Sequence, residues 1–139
     1  MLDLLFMHFL LITRMTMDAF VRKYKLKLYE NSIISTNGEC RLWCNTSSKR
    51  YGQIKAKLPS GELRNFSPAK LSLILKLREM PPASLECSHL CHNVLCINPM
   101  HLSLEPHGVN MQRKNCMGEG SCRHHSNYPN CMINLHVHV

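Results

Sequence analysis

One short stretch of the 139-residue chain concentrates side chains that bind soft metal ions. Cys91, Cys96 and His101 follow one another with four residues in each gap. Two thiolates and one imidazole are ligands that tetrahedral zinc prefers, so the spacing predicts a zinc site whose fourth ligand comes from elsewhere in the chain. His89 lies two residues before the first of these ligands, and Asn110 lies nine residues after the last. A zinc ion in this loop would therefore fix where the His89 imidazole points.

The length of the chain limits how much of its stability can come from a hydrophobic core. A single domain of this size has a small core, and small cores often depend on metal ions or disulfides. The eight cysteines leave a secreted disulfide scaffold open as an alternative. Disulfide frameworks do not require histidines at fixed offsets from cysteines, as found after Cys91 and Cys122. The pattern favours zinc binding in a reducing compartment, which predicts an intracellular protein.

Positive charge is concentrated in the middle of the chain. The formal net charge is +8, and the segment from Arg41 to Arg78 contains nine Lys or Arg residues but only one acidic residue, Glu62. Such an excess indicates a polyanionic partner, and nucleic acid is the obvious one. A solvated basic surface without a partner is the alternative interpretation.

The N-terminal segment is interpreted separately from the rest. Residues 2–12 are mostly apolar, but they are too few to span a bilayer as a helix, and they lack the basic start of a secretory signal. Residues 18–29 carry apolar side chains at helical spacing, which predicts an amphipathic helix with Phe20, Val21, Tyr24 and Leu28 on its buried face. We therefore assign residues 1–36 to a helical leader and residues 37–139 to a zinc-stabilised domain that does not cross a membrane.

The basic segment has the pattern of a β-hairpin followed by a helix. Apolar and polar side chains alternate in residues 51–58, which predicts a half-buried strand. The apolar face contains Ile54, Ala56 and Leu58, and the polar face contains Gln53, Lys55 and Lys57. Residues 59–62 predict a turn, and residues 63–66 a returning strand. Ser67 and Pro68 are typical of a helix start, and the leucine-rich run after them predicts a core helix.

The region around the metal-binding loop predicts two more strands and a helix. Residues 84–89 and 100–104 are expected to form partner strands, and Pro106 is expected to start a helix that carries Asn110, Arg113 and Lys114. The chain thus predicts an α+β protein in which a strand, a strand and a helix follow one another.

The order and spacing of these residues resembles a known family. His89, Cys91, Cys96, His101, Asn110 and Cys116 are arranged as in the His-Cys box of homing endonucleases, a branch of the ββα-metal (HNH-like) nucleases. The resemblance covers residues 38–131. It implies a small zinc-stapled ββα-metal nuclease domain with an antiparallel DNA-binding β-hairpin, acting on double-stranded DNA, with the nucleus as the expected location.

The resemblance also implies a role for each residue of the site. A histidine at the position of His89 is the general base, and an asparagine at the position of Asn110 holds one catalytic Mg²⁺. Arg64, on the returning strand, is similar to the arginine that contacts the scissile phosphate. Cys40 is similar to the cysteine that completes the first zinc site, with Cys44 as its competitor.

A second structural zinc ion is implied near the C-terminus. The resemblance assigns it to Cys116, Cys122, His124 and Cys131, with His125 as an alternative to His124, and Cys44 and Cys87 are then left over. Family members dimerise through a longer C-terminal tail, so we expect weak dimerisation or none.

The predicted DNA contacts come from two elements. A two-stranded ribbon fits the major groove, where Gln reads adenine and Lys reads guanine or a phosphate, so Gln53, Lys55 and Lys57 are expected to face DNA. Arg113 and Lys114, on the predicted helix, complete the set. The alternative function is a zinc-dependent nucleic-acid-binding protein that does not cleave, because a Cys/His cluster alone is usually structural.

Overall fold

The computed structural model describes residues 15–45 and 52–133, which form three α-helices and three antiparallel two-stranded sheets. The helices are α1 (Met17–Glu30), α2 (Pro68–Leu77) and α3 (His107–Glu119). The strands are β1 (Ser32–Ile34), β2 (Arg41–Trp43), β3 (Ile54–Lys57), β4 (Leu63–Phe66), β5 (Leu85–His89) and β6 (Leu102–Pro106). A 3-10 helix, Pro99–His101, leads into β6. The predicted α+β class is confirmed.

Helix α1 matches the predicted amphipathic helix. The Oγ1 atom of Thr16 accepts a hydrogen bond from the Ala19 N–H at 3.1 Å, which satisfies one free donor of the first turn. Its buried face is the predicted one, formed by Phe20, Val21, Tyr24 and Leu28. Burial of this face, rather than intrinsic helix propensity, stabilises a helix of this length.

The hydrophobic core joins α1 to the hairpin and to α2. Its central cluster contains residues of all these elements, and the Lys57 N–H donates to the Tyr24 hydroxyl at 2.7 Å. The core therefore continues across the position of the proposed domain boundary at residue 36. Residues 1–14, which include the whole apolar segment 2–12, lie outside the described residues. In the part of the chain that the structure describes, none of the helices has the length and apolarity needed to cross a membrane.

Strand β3 has the predicted alternation. Ile54 pairs with Phe66 and Lys55 with Asn65, so that apolar and polar residues lie on opposite faces. Ile54, Ala56 and Phe66 are buried, whereas Lys55 and Lys57 are exposed. Tyr51, which was included in the predicted strand, lies outside the described residues.

Helix α2 begins as its sequence predicts. Ser67 is the N-cap, its side chain accepts from the Lys70 N–H, and Pro68 occupies the first turn. Leu71, Ile74 and Leu75 are buried in the core. Leu77, the last residue of the leucine-rich run that predicts a core helix, ends α2 with 43 % of its surface exposed.

The β5–β6 hairpin lies between two helices. Cross-strand neighbours share a face, so Cys87 and Leu104 lie on one side, while Glu86 and Glu105 lie on the other. The apolar side packs against Ala69 and Leu73 of α2. The acidic side receives two residues of α3, because Asn110 donates to Glu86 and Arg113 donates to Glu105. This arrangement is the strand, strand and helix order predicted for residues 84–119.

Candidate functional site

Four side chains from two distant segments meet in the first Cys/His cluster. Cys40, Cys91, Cys96 and His101 place their ligand atoms within 4.8 Å of one another. His101 Nδ1 lies 3.6 Å from Cys40 Sγ and 3.5 Å from Cys96 Sγ. A tetrahedral zinc site with its usual bond lengths has S···N edges of about 3.6 Å. The cluster therefore fits a closed structural zinc site, as predicted.

The chemistry of the sulfur atoms supports the same conclusion. Burial raises the pKa of the Cys40 thiol to about 11, whereas the hydrogen bond with Cys91 lowers that of Cys96 to about 5. Three thiols held this close together ionise together only when a cation neutralises them, because adjacent thiolates repel. A zinc ion supplies that charge and keeps its thiolate ligands deprotonated.

Strand β2 delivers Cys40 to the cluster. The predicted turn at residues 37–38 is present, with Gly38 at φ 76°, a conformation that favours glycine. Beyond it, the Trp43 N–H donates to the Leu95 carbonyl, and the Ile97 N–H donates to the Arg41 carbonyl. These bonds tie β2 to the loop that carries Cys96. The competing cysteine, Cys44, is exposed and is not part of the cluster.

The second cluster uses the alternative histidine. Cys116, Cys122, His125 and Cys131 come together, and His125 Nε2 lies 3.5 Å from the sulfur atoms of Cys116 and Cys131. This corrects the assignment of His124. His124 has a left-handed backbone, with φ 63°, and its exposed side chain lies near the Asn130 side chain instead. Each of the two clusters thus has three cysteines and one histidine, and together they fit two structural zinc ions.

His89 stands beside the first cluster without belonging to it. It ends β5, and its Nε2 donates to the Cys96 carbonyl at 3.1 Å. A carbonyl oxygen only accepts, so Nε2 carries the proton and Nδ1 keeps a lone pair. Burial lowers the pKa of His89, which keeps the ring neutral at pH 7. The loop that binds the zinc ion thereby selects the tautomer with a basic Nδ1.

Asn110 is the other half of the predicted site. It lies in the second turn of α3, and its Nδ2 donates to Glu86 Oε2 at 2.8 Å. Its carbonyl oxygen, Oδ1, is the atom that a Mg²⁺ ion prefers, because Mg²⁺ takes oxygen ligands. The amide nitrogen is thus hydrogen-bonded to Glu86, and Oδ1 is an oxygen atom of the kind that Mg²⁺ takes as a ligand.

The structure brings His89 and Asn110 to the same two cavities. One has a volume of about 260 Å³, and the other about 290 Å³. His89, Asn110, Lys114 and Val94 line both. A larger cavity of about 560 Å³ lies between α1, α2 and β2, but neither His89 nor Asn110 lines it. The predicted catalytic pair therefore faces shared space beside the zinc loop.

Arg64 lies apart from this pair. It is in the middle of β4, where its Nε donates to Glu62 Oε1 at 2.9 Å, and both side chains are about half exposed. Among the described residues that line the two cavities with His89 and Asn110, Arg64 is absent. A contact between Arg64 and a phosphate thus stays a prediction, and it requires the Arg64 side chain to leave Glu62.

The two residues of α3 that are predicted to contact DNA, Arg113 and Lys114, have opposite environments. Lys114 is exposed at the rim of both cavities. Arg113 is 2 % exposed, is paired with the buried Glu105, and donates to Cys131 Sγ and to the Pro129 carbonyl. This burial corrects the prediction that Arg113 contacts DNA. Its charge neutralises Glu105, and its bonds to Cys131 and Pro129 hold the segment after α3 against the helix.

The predicted DNA-facing surface of the hairpin is intact. Gln53, Lys55 and Lys57 are exposed, and the cross-strand pairing adds Leu63 and Asn65 to the same face. Alternation in β3 produces this surface, because Ile54 and Ala56 on its other face are buried in the core, whereas in β4 only Phe66 is buried. The hairpin thus presents a polar and basic ribbon, as the sequence predicts.

Two residues of the site were not predicted. Glu86 holds the amide of Asn110, and His92 lines one of the two shared cavities. The buried Nε2 of His92 has no hydrogen-bond partner among the described residues. Its position next to Cys91 is a weak signal in the sequence. Glu86 leaves none, because its partner depends on which face of the hairpin α3 packs against.

The fold and the site together define a small domain stapled by two Cys3His clusters, with a strand, strand and helix unit around the predicted catalytic pair. Residues 53–137, more than half of the chain, match the family model described as the zinc-binding loop region of homing endonuclease. The chain therefore belongs to this family. No curated protein and no solved structure matches it significantly.

Proposed function

We propose that this protein is a Mg²⁺-dependent endonuclease that hydrolyses phosphodiester bonds in double-stranded DNA. The observation that carries the proposal is the shared placement of His89 and Asn110, which line the same two cavities beside a closed zinc cluster. Membership of a homing endonuclease family supports a nuclease function. A DNA substrate also agrees with the nuclear location expected from the sequence, which is part of the same proposal.

His89 is proposed as the general base. Because its Nε2 is bonded to the Cys96 carbonyl, Nδ1 is the nitrogen that accepts a proton from the attacking water. The neighbouring Cys91 and Cys96 are zinc ligands, so the ring is held by a rigid loop. A positioned base of this kind typically contributes about 10² to 10⁴-fold to the rate.

Asn110 is proposed to hold the divalent cation through Oδ1. When it is bound, Mg²⁺ supplies charge neutralisation at the scissile phosphate and at the departing oxygen. Asn110 itself contributes position, because α3 is fixed to β6 by the buried Arg113–Glu105 pair. Loss of the Asn110 amide should therefore weaken cation binding and leave proton transfer by His89 intact.

DNA binding is proposed for the exposed side chains of the hairpin and of α3. Gln53, Lys55 and Lys57 occupy one face of the ribbon, and Lys114 lies at the rim of the cavities. Lysines at such positions contact phosphates or guanine, and glutamine pairs with adenine. Arg64 is proposed to leave its ion pair with Glu62 when DNA binds and to neutralise charge on the phosphate.

Nicking of supercoiled plasmid by the zinc-loaded protein, with and without Mg²⁺, tests the proposal. Mg²⁺-dependent nicking should fall about 10² to 10⁴-fold in His89→Ala, while zinc content and DNA affinity stay at parental values. His124→Ala is the matched control, because His124 is an exposed histidine outside the cluster and outside both cavities. It should nick like the parent.

The alternative outcomes are distinct. If His89→Ala nicks as well as the parent protein, the base has been assigned wrongly. If the parent protein binds DNA and two zinc ions but shows no Mg²⁺-dependent cleavage of any DNA tried, the enzyme proposal fails and a non-cleaving DNA-binding function replaces it.

A further inference from the structure

Glu86 makes two hydrogen bonds that converge on the candidate active site. It lies on β5, and its Oε2 accepts from Asn110 Nδ2 at 2.8 Å. Its Oε1 lies 2.8 Å from Nδ1 of His107, the first residue of α3. Both carboxylate oxygens are thus directed at α3, although the side chain is 41 % exposed. An exposed glutamate usually points into solvent, so this arrangement is unusual enough to require a reason.

The chemistry of the pair determines the orientation of the amide. A carboxylate has only acceptor atoms, whereas an amide has an NH₂ group at one end and a carbonyl oxygen at the other. Asn110 can therefore turn only its NH₂ group toward Glu86. The same bond leaves Oδ1 directed away from the carboxylate. An unpaired asparagine has no such preference and samples both orientations.

The two hydrogen-bonded pairs on this face of the hairpin have different environments. Glu86 and Glu105 are opposite each other in the β5–β6 ladder, and their partners Asn110 and Arg113 are three residues apart on α3. The Arg113–Glu105 pair is buried and already docks the helix. The Glu86–Asn110 pair is partly exposed and is next to the cavities that Asn110 lines.

The charge of Glu86 also bears on how the Asn110 amide interacts with a cation. Two carboxylates that face each other across a ladder repel, and Arg113 neutralises only Glu105. The Glu86 carboxylate, whose other oxygen contacts His107, lies against the NH₂ group of the Asn110 amide. Groups that hydrogen-bond to a metal ligand in this way orient the ligand and strengthen its interaction with a cation.

We propose that Glu86 is a positioning residue that fixes the side-chain amide of Asn110 with its nitrogen on β5 and its oxygen toward the divalent cation. The inference rests on the proposed function, because it requires Asn110 to hold that cation. The inference goes beyond the proposed function because it assigns a role to a carboxylate that acts through Asn110 and does not itself bind the cation or the substrate.

Binding of Mn²⁺ to the zinc-loaded protein, followed by the EPR signal of free Mn²⁺, tests this role without depending on cleavage. Glu86→Gln keeps the shape of the side chain but presents an NH₂ group as well as an oxygen, so it no longer enforces one orientation. The dissociation constant for Mn²⁺ should rise about 10- to 100-fold, the range found for residues behind a metal ligand. Zinc content should stay at two ions.

Glu119→Gln is the matched control. Glu119, at the end of α3, has a side chain of similar exposure, 44 % against 41 % for Glu86, but it pairs with Arg123. It removes the same charge from the protein and should leave Mn²⁺ binding as in the parent. Mg²⁺-dependent nicking supplies a second readout, in which Glu86→Gln should shift the Mg²⁺ midpoint upward and recover most of the parental rate at saturating Mg²⁺.

A double-mutant cycle with Asn110→Ala separates positioning from direct coordination. If Glu86 acts only through Asn110, Glu86→Gln should have no further effect once Asn110 is alanine. A further loss in that background would show that Glu86 is itself a ligand and would overturn the inference.

The remaining outcomes distinguish the inference from the proposed function. If Asn110→Ala loses Mn²⁺ binding but Glu86→Gln binds like the parent, the positioning role is wrong and the proposed function stands. If Asn110→Ala itself binds Mn²⁺ like the parent, the assignment of Asn110 in the proposed function is wrong, and the role of Glu86 falls with it.

Discussion

The two Cys3His clusters have the same composition but join different lengths of chain. In the first cluster, Cys40 meets His101, which is 61 residues away in the sequence. In the second, all four ligands lie within residues 116–131. Closing a long loop costs more conformational entropy than closing a short one, although the cost grows slowly with length. The first cluster thus holds distant elements together, whereas the second staples one local segment.

The difference also extends to function. His89 lies two residues before Cys91 and is bonded to the Cys96 carbonyl, so the first cluster supports the candidate active site directly. The second cluster includes Cys116 of α3, and Arg113 of the same helix donates to Cys131 Sγ, while the Met132 N–H donates to the Leu90 carbonyl. Loss of a ligand from the first cluster should therefore impair folding, DNA binding and cleavage together. Loss of a ligand from the second cluster should affect mainly the segment around it.

The largest effect is expected from Cys96→Ala. Binding of a structural zinc ion contributes roughly 10–16 kcal/mol at pH 7, which is as much as the entire stability of a typical domain. The variant should bind one zinc ion instead of two, lose its cooperative unfolding transition by circular dichroism, and fail in both DNA binding and nicking. Cys44→Ala is the control, because Cys44 is exposed and outside the cluster. A folded, DNA-binding Cys96→Ala protein would contradict the central role of this cluster.

A smaller effect is expected from His125→Ala. It should also reduce the zinc content from two ions to one, but the hydrophobic core, the first cluster and the Arg113–Glu105 pair remain. The protein should stay folded with a lower melting temperature and retain DNA binding through its hairpin. His124→Ala is the matched control and should keep two zinc ions by mass spectrometry under native conditions. The reverse result would restore His124 as the ligand.

The link between the second cluster and the sheet can be broken separately. Arg113→Ala leaves Glu105 buried without its partner, and loss of one member of a buried ion pair typically costs about 3–5 kcal/mol. Urea unfolding of the zinc-loaded protein should show a loss of this size. Lys114→Ala, at the next and exposed position, should change stability by less than about 0.5 kcal/mol. Equal effects in the two variants would mean that the buried pair contributes nothing.

The smallest effect is expected on the hairpin, which contains no zinc ligand. If Lys57 contacts a phosphate, Lys57→Ala should reduce the salt dependence of DNA binding by about one unit in a plot of log K against log salt. Fluorescence anisotropy at several salt concentrations measures this slope. Lys27→Ala, on the exposed part of α1, provides the comparison and should leave the slope unchanged. An unchanged slope in Lys57→Ala would assign Lys57 to solvent.

Elements with a strong local pattern were predicted well. Alternation of Ile54, Lys55, Ala56 and Lys57 identified β3, and the Ser67–Pro68 start identified α2. The apolar face of α1 was also correct, because helical spacing defines it without reference to the rest of the chain. In each of these elements, the burial that stabilises it is encoded in consecutive residues.

The corrected residues are those whose environment depends on distant contacts. His124 and His125 are adjacent, and the left-handed backbone at His124 decides which ring enters the cluster. Arg113 was predicted to contact DNA from the helix that carries it, but Glu105 on β6 provides a buried partner. Glu86 acquires its contact with Asn110 only when α3 packs on the acidic face of the hairpin.

The sequence by itself determined the family, the α+β class and three ligands of the first cluster, Cys91, Cys96 and His101. These depend on residue types at fixed spacing, and short loops allow few other geometries. Only the tertiary structure decided that Glu86 holds Asn110, that Arg113 is buried and that His125 completes the second cluster. Each of these depends on which faces of α3 and of the β5–β6 hairpin meet, or on one backbone torsion, and residue spacing does not encode either.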